Sequence, residues 1–144
     1  MPLECPIDAK GLDSLAAEHG TPLQLYDEAA IRENARALLK AFKSRFPGFR
    51  EFFAVKALPN PSVLRVLLQE GCGMDCSSTA ELHICDKLGV KPEHVMYTSN
   101  YTSEKDLGKA FDQGVVINLD DASLVSAMMA ARGRCPELVR FGGW

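Results

Sequence analysis

Apolar residues follow two patterns along this chain, and from residue 27 the patterns alternate. One is a stripe at steps of three and four, the other a short unbroken run. Ile31, Ala35, Leu38, Leu39, Phe42 and Phe46 make the first stripe, with Arg32, Glu33, Arg36, Lys40 and Lys43 opposite. This predicts an amphipathic helix capped by Asp27 and stopped at Pro47-Gly48. Glu51 to Val55 reads as a buried strand. Asn60-Pro61 then caps and opens a helix carrying Val63, Leu64, Leu67 and Leu68, which ends at Gly71. The cycle repeats with a strand over Gly73 to Cys76 and a capping box at Ser78-Thr79-Ala80-Glu81. That helix ends at Gly89, followed by a strand at Val95 to Tyr97. Ser103 starts the next helix, through Leu107, Ala110 and Phe111 to Gly114. Val115 to Ile117 is a β-branched run, and Asp120 or Asp121 caps a helix holding Leu124, Val125, Met128 and Met129. Glu137 to Phe141 reads as one more strand.

Such βαβ repetition predicts an α/β fold whose parallel sheet is joined by right-handed crossovers. About five strands and four intervening helices are expected. An open doubly wound sheet and half of a closed barrel both satisfy the pattern. Both place working residues at the carboxyl ends of strands. That rule selects Lys56-Ala57, Asp75 to Ser78, Thr98 to Asn100 and Asn118 to Asp120. Residues 1–26 stand apart from 27–144. Leu12, Leu15 and Ala16 suggest a short helix there, and Pro22 to Tyr26 a strand that need not join the main sheet.

Composition narrows the function classes. Of 144 residues 47% are hydrophobic and 24% charged, which is globular rather than disordered. Sixteen Lys and Arg against 19 Asp and Glu give a net charge of −3, with no basic footprint for nucleic acid and little attraction to an anionic membrane. No apolar run is long enough to span a bilayer, and the first residues lack a basic-then-apolar leader. Five cysteines, no Cys-x-x-Cys pair and three scattered histidines predict reduced, mostly buried thiols in a cytoplasmic protein with no metal site.

Lys56 is the first candidate for chemistry. At the end of a buried strand, low dielectric disfavours its charge and makes the amine a better nucleophile for a carbonyl. A lysine that simply ends a strand and reaches water fits the same position. Asp75 ends the neighbouring strand, where a carboxylate can hold a cation or orient a ring nitrogen, or can merely precede a helix cap. Glu81 reads first as the reciprocal half of the capping box. Ser77, Ser78 and Thr79 are ligand donors or caps; Ser99, Asn100 and Asp120 read as caps or turn residues. His83 reads as a helix-surface or satisfied core histidine, and His94 as a loop residue. No dinucleotide fingerprint, Walker loop or nucleophile elbow is present.

Five blocks together resemble a known family. Phe53-Ala54-Val55-Lys56-Ala57 with Asn60-Pro61 resembles the lysine segment of the fold-type III pyridoxal phosphate decarboxylases, which act on ornithine, arginine or diaminopimelate. Gly73-Met74-Asp75-Cys76-Ser77-Ser78 with Glu81-Leu82 resembles their next block, and Gly20-Thr21-Pro22 with Tyr26-Asp27 their opening segment. Tyr97 to Asn100 and Ile117 to Asp121 look most like the diaminopimelate branch. The resemblance implies an alanine racemase-like (β/α)8 barrel, with about five of eight strands present, followed by a β-rich second domain. It implies that Lys56 forms a Schiff base with pyridoxal 5′-phosphate and that Asp75 and Glu81 lie near it. It implies an amino acid substrate, most nearly diaminopimelate decarboxylated to lysine, and a homodimer.

The resemblance also has gaps. The family's fifth-strand arginine is expected just after Phe141, where Gly142 stands, and the role is not carried to Arg140. The ring-stacking histidine, the glycine-rich phosphate loop and the acidic partner of the pyridine nitrogen have no counterpart here. A barrel usually takes roughly 250 residues, so the expectation is an N-terminal part, inactive alone and holding the cofactor weakly. Ornithine, arginine or carboxynorspermidine decarboxylation is the alternative within the family. A non-catalytic piece that pairs with a longer relative is the alternative outside it.

Overall fold

A computed structural model describes residues 5–98, 103–133 and 139–141. Helix α1 (Ala9–His19) is capped by Asp8, whose Oδ1 accepts from Gly11 N at 2.8 Å; it buries none of its residues. Helix α2 (Glu28–Lys43) starts from Asp27, whose carboxylate accepts from Ala30 N. Strands and helices then alternate: β1 (Phe52–Ala54), α3 (Pro61–Gln69), β2 (Gly73–Cys76), α4 (Thr79–Lys87), β3 (Val95–Thr98), α5 (Glu104–Asp112), β4 (Val116–Leu119), α6 (Ser123–Arg132) and β5 (Val139–Phe141). The five strands form one parallel sheet in chain order, each bonded to the next, with β1 and β5 at its edges.

Strand residues alternate between two faces. Met74, Cys76, Val95, Tyr97, Ile117 and Leu119 share the face against the helices and are buried. They meet Val63, Leu64 and Leu67 of α3, Leu82 and Cys85 of α4, Leu107 and Ala110 of α5, and Met128 of α6 in one apolar cluster. The opposite face carries Ala54, Asp75 and Met96 as lateral neighbours, then Thr98 beside Asn118. The sheet thus places its core on one side and its polar strand-end residues on the other.

Several expectations are corrected. Residues 22–26 form no strand: all are exposed, and among the described residues β1 pairs only with β2, so their backbone finds no ladder partner there. Strand β1 ends at Ala54, and Val55–Ala57 turns as a 3-10 helix. Asp121 is not the α6 cap; that position is Ala122, and Asp121 Oδ1 instead accepts from Ser123 N at 2.7 Å in the turn before the helix. The apolar stripe of α2 is wider than the surface it covers. Ala35 and Leu39 are buried, whereas Leu38 and Phe42 are 40% and 44% exposed, and Phe46, past the helix end at Lys43, is 61% exposed. Phe42 recovers part of its burial by stacking on Phe49 with ring centroids 4.6 Å apart. No helix among the described residues is long and apolar enough to cross a membrane.

Helices α2 and α3 are joined by a charged clamp. Glu70, just past α3, receives Arg32 Nη1 at 2.8 Å and Arg36 Nε at 2.6 Å, and its side chain is 9% exposed. The bonds from Arg36 and then Arg32 hold its carboxyl down at about 2. A carboxyl whose folded value lies below its unfolded one stabilises the fold above the unfolded value and loses that contribution as pH falls through the folded value. Acid titration of stability should therefore show a Glu70 component between about pH 4.5 and about 2. Glu70→Gln should flatten that segment in unfolding curves taken at successive pH values; an unchanged slope would refute the clamp.

Candidate active site

The site is built at the carboxyl ends of β1 and β2. Val55 is fully buried and anchors the turn after β1, while Leu58 N closes it on Val55 O at 3.1 Å. Lys56 stands on that turn with an exposed side chain. The expectation of an enclosed, low-dielectric lysine does not hold among the described residues, because the strand ends before Lys56 and the turn lifts it clear of the core. Asn60 sets the exit from the turn: its Oδ1 accepts from Ser62 N at 2.9 Å and Val63 N at 3.4 Å, capping α3.

Asp75 is level with Ala54, two residues before Lys56, in the β1–β2 ladder. Its neighbours Met74 and Cys76 are buried in the core, so Asp75 belongs to the other face, and its Oδ1 is buried there. The amine and the carboxylate therefore come from adjacent strand ends. Glu81 is spent on local structure. Its Oε2 accepts from Ser77 N at 2.9 Å and its Oε1 from Ser78 Oγ at 2.8 Å, while Ser78 Oγ accepts from Glu81 N at 3.3 Å. This is the expected box with one change: the glutamate reaches back to the residue before the cap. It pins the 77–78 loop directly after Asp75.

Further along the same face, Asn118 sits between the core residues Ile117 and Leu119, and its Oδ1 is buried with no hydrogen-bond partner among the described residues. A buried acceptor without a donor is costly, so this atom marks a place on the site face that suits an incoming donor. Arg140, to which no role was carried, is level with Asn118 in the β4–β5 ladder. The signal that finds it is the two-residue period of the strand. Asp120, His83 and His94 are exposed; Ser99 and Asn100 lie outside the described residues. Among the described residues no cluster of three or more His, Cys, Asp or Glu side chains offers a metal site. Cys72, Cys76 and Cys85 are buried free thiols, Cys5 is exposed, and Cys135 lies outside the described residues.

An amine at a parallel strand end, a carboxylate on the next strand and an unanswered acceptor on the same face suit an aldehyde cofactor with hydrogen-bonding groups on its ring. The sequence profile of the pyridoxal binding domain of pyridoxal-dependent decarboxylases matches residues 29–141. This chain belongs to that family. The pyridoxal-dependent decarboxylases similar to it include the diaminopimelate decarboxylase of Methanothermobacter thermautotrophicus, 42% identical over 109 residues, covering 76% of this chain and 26% of the relative. Protein TabA of Pseudomonas amygdali pv. tabaci is 39% identical over 130 residues, covering 90% of this chain and 30% of the relative. Among solved structures, the lysine/ornithine decarboxylase of Vibrio vulnificus complexed with putrescine superposes with a TM-score of 0.79 at 26% identity, over 94% of this chain and 37% of that one. The chain thus spans less than two fifths of the length of each. The fold is the decarboxylase barrel, of which this chain holds five consecutive parallel strands.

Proposed function

We propose that this chain contributes the cofactor lysine, Lys56, and its neighbouring carboxylate, Asp75, to an amino acid decarboxylase that uses pyridoxal phosphate and acts on diaminopimelate. The observation that carries the reading is the pairing of strand ends: an accessible primary amine after β1 and a carboxylate level with that strand on β2, within a pyridoxal binding domain. When bound, pyridoxal phosphate supplies an aldehyde for the amine and a ring that accepts the electron pair left by a departing carboxylate.

The chain's own groups then have distinct work. Lys56 offers the nucleophile. Asp75 offers a carboxylate from the neighbouring strand, level with Ala54. Glu81, through Ser77 and Ser78, holds the loop that follows Asp75 in one conformation. Asn118 presents an acceptor. The phosphate cradle, the second domain, the homodimer and the division of this chain at residues 26 and 27 remain parts of the proposal. Diaminopimelate is favoured because the relative matching at 42% carries that name. The structural likeness to a lysine/ornithine decarboxylase favours ornithine as the second reading.

Two experiments test this. Incubation with pyridoxal phosphate, borohydride reduction and peptide mapping should mark Lys56 ahead of the exposed Lys10, Lys40, Lys43, Lys87, Lys91, Lys105 and Lys109. Equal marking of all eight would overturn the assignment. Expression of the entire reading frame that encodes these residues, assayed for lysine from meso-diaminopimelate and for putrescine from ornithine, decides the substrate.

A further inference from the structure

Cys76 and Cys85 take no part in the site chemistry above, yet their sulfurs are 3.5 Å apart. Cys76 is the last residue of β2, directly after Asp75, and Cys85 lies on α4, nine residues on. They are 0% and 2% exposed, and both are free thiols. The thiols share a hydrogen bond rather than a bland apolar contact. That bond, and then burial, pushes Cys76 up; the same bond draws Cys85 down against the opposing effect of burial. A disulfide needs the sulfurs at about 2.05 Å, so closure of the 3.5 Å gap calls for an approach of about 1.5 Å.

We propose that Cys76 and Cys85 are a redox-convertible pair, which a peroxide closes into an intramolecular disulfide tying the end of β2 to α4. In the first step Cys85 sulfur attacks a peroxide oxygen; the O–O bond breaks, leaving a sulfenic acid and one water. In the second, Cys76 sulfur attacks the sulfenic sulfur; the S–O bond breaks and a second water departs with the proton from Cys76. Two thiols lose two electrons and two protons, and one hydrogen peroxide becomes two waters. Access calls for opening of α4, a nine-residue helix followed by the exposed Gly89 and Lys91. The bond spans the 77–78 loop, so it fixes the segment that follows Asp75. This inference stands whether or not Lys56 is a cofactor lysine.

The test uses the chain carrying Cys5→Ser and Cys135→Ser, which removes the exposed thiol and the one outside the described residues. After treatment with hydrogen peroxide, the chain is unfolded with an alkylating agent and digested at glutamate. Cleavage at Glu81 separates the two cysteines, and fragmentation tells Cys76 from Cys72. The expected product is the Cys76 peptide joined to the Cys85 peptide, lighter than their sum by two hydrogen atoms and restored by dithiothreitol. Adding Cys85→Ala should remove the joined peptide and leave Cys72 and Cys76 alkylated. The link itself is mapped in the chain that keeps both cysteines, so the outcome does not depend on how the triple variant folds. Full alkylation of Cys76 and Cys85 after peroxide, a link from either to Cys72, or a link between chains would each overturn the proposal.

Discussion

Lys56→Ala should reduce the borohydride-trapped pyridoxyl label at the β1 strand end to nothing, while the remaining lysines keep their background labelling. The side chain is exposed and lies beyond the last ladder residue, so the fold should be indifferent to its loss. Surface changes of that kind move stability by no more than about 0.5 kcal/mol. Lys56→Arg sharpens the test. Arginine keeps the positive charge but has no amine that condenses with an aldehyde, so it should behave like alanine in labelling and like lysine in stability. Decarboxylase activity of the enzyme encoded by the entire reading frame should fall to background in both variants. Activity within tenfold of the parent in Lys56→Ala would remove Lys56 from the chemistry.

Gly73→Ala should be the most damaging single-methyl addition to this fold. A Cβ built on Gly73 would stand 2.7 Å from Phe52 Cδ1 and 2.9 Å from the carbonyl oxygen of His94. Phe52 is the residue level with Gly73 across the β1–β2 ladder, and Gly73 N donates to Glu51 O at 2.7 Å. One obstacle is therefore an aromatic ring held by its strand, and the other is backbone. Overpacking of this kind costs about 1–3 kcal/mol, which thermal unfolding would read as a drop of roughly 4 °C or more in Tm. Combining it with Phe52→Ala should recover only the ring's share, since the carbonyl stays. A Gly73→Ala chain as stable as the parent would show that the strands separate there at no cost.

The order of elements was written plainly in the sequence. Asn60, Ser78 and Ser103 cap the helices that their positions announced, because a capping side chain bonds its own first turn and needs no distant partner. The buried runs became parallel strands because each has a neighbouring run to pair with. What one periodicity cannot carry is how far a stripe will be covered, and α2 shows this: Leu38 and Phe42 have the right spacing yet stay 40% and 44% exposed, Phe42 despite its stack on Phe49. Residues 22–26 failed as a strand because ladder formation is a property of two segments. At the candidate site, position and resemblance select Lys56, Asp75 and Glu81. The exposure of Lys56 and the double use of Glu81 in the cap depend on where β1 stops and how the next loop turns, which strand propensity does not specify. Asn118 was legible only as one of several strand-end residues; its unanswered oxygen required the sheet.

Each ladder in this sheet joins residues only twenty to twenty-two positions apart, and every strand waits for none but its predecessor. Loop closure over such short spans costs little entropy, and local contacts favour rapid folding. During synthesis, β2 can dock on β1 as soon as α3 and a few further residues have left the ribosome, and each later unit extends the sheet by one strand. Lys56 and Asp75 both lie in the β1–α3–β2 unit, so their placement at neighbouring strand ends needs the closure of that one ladder.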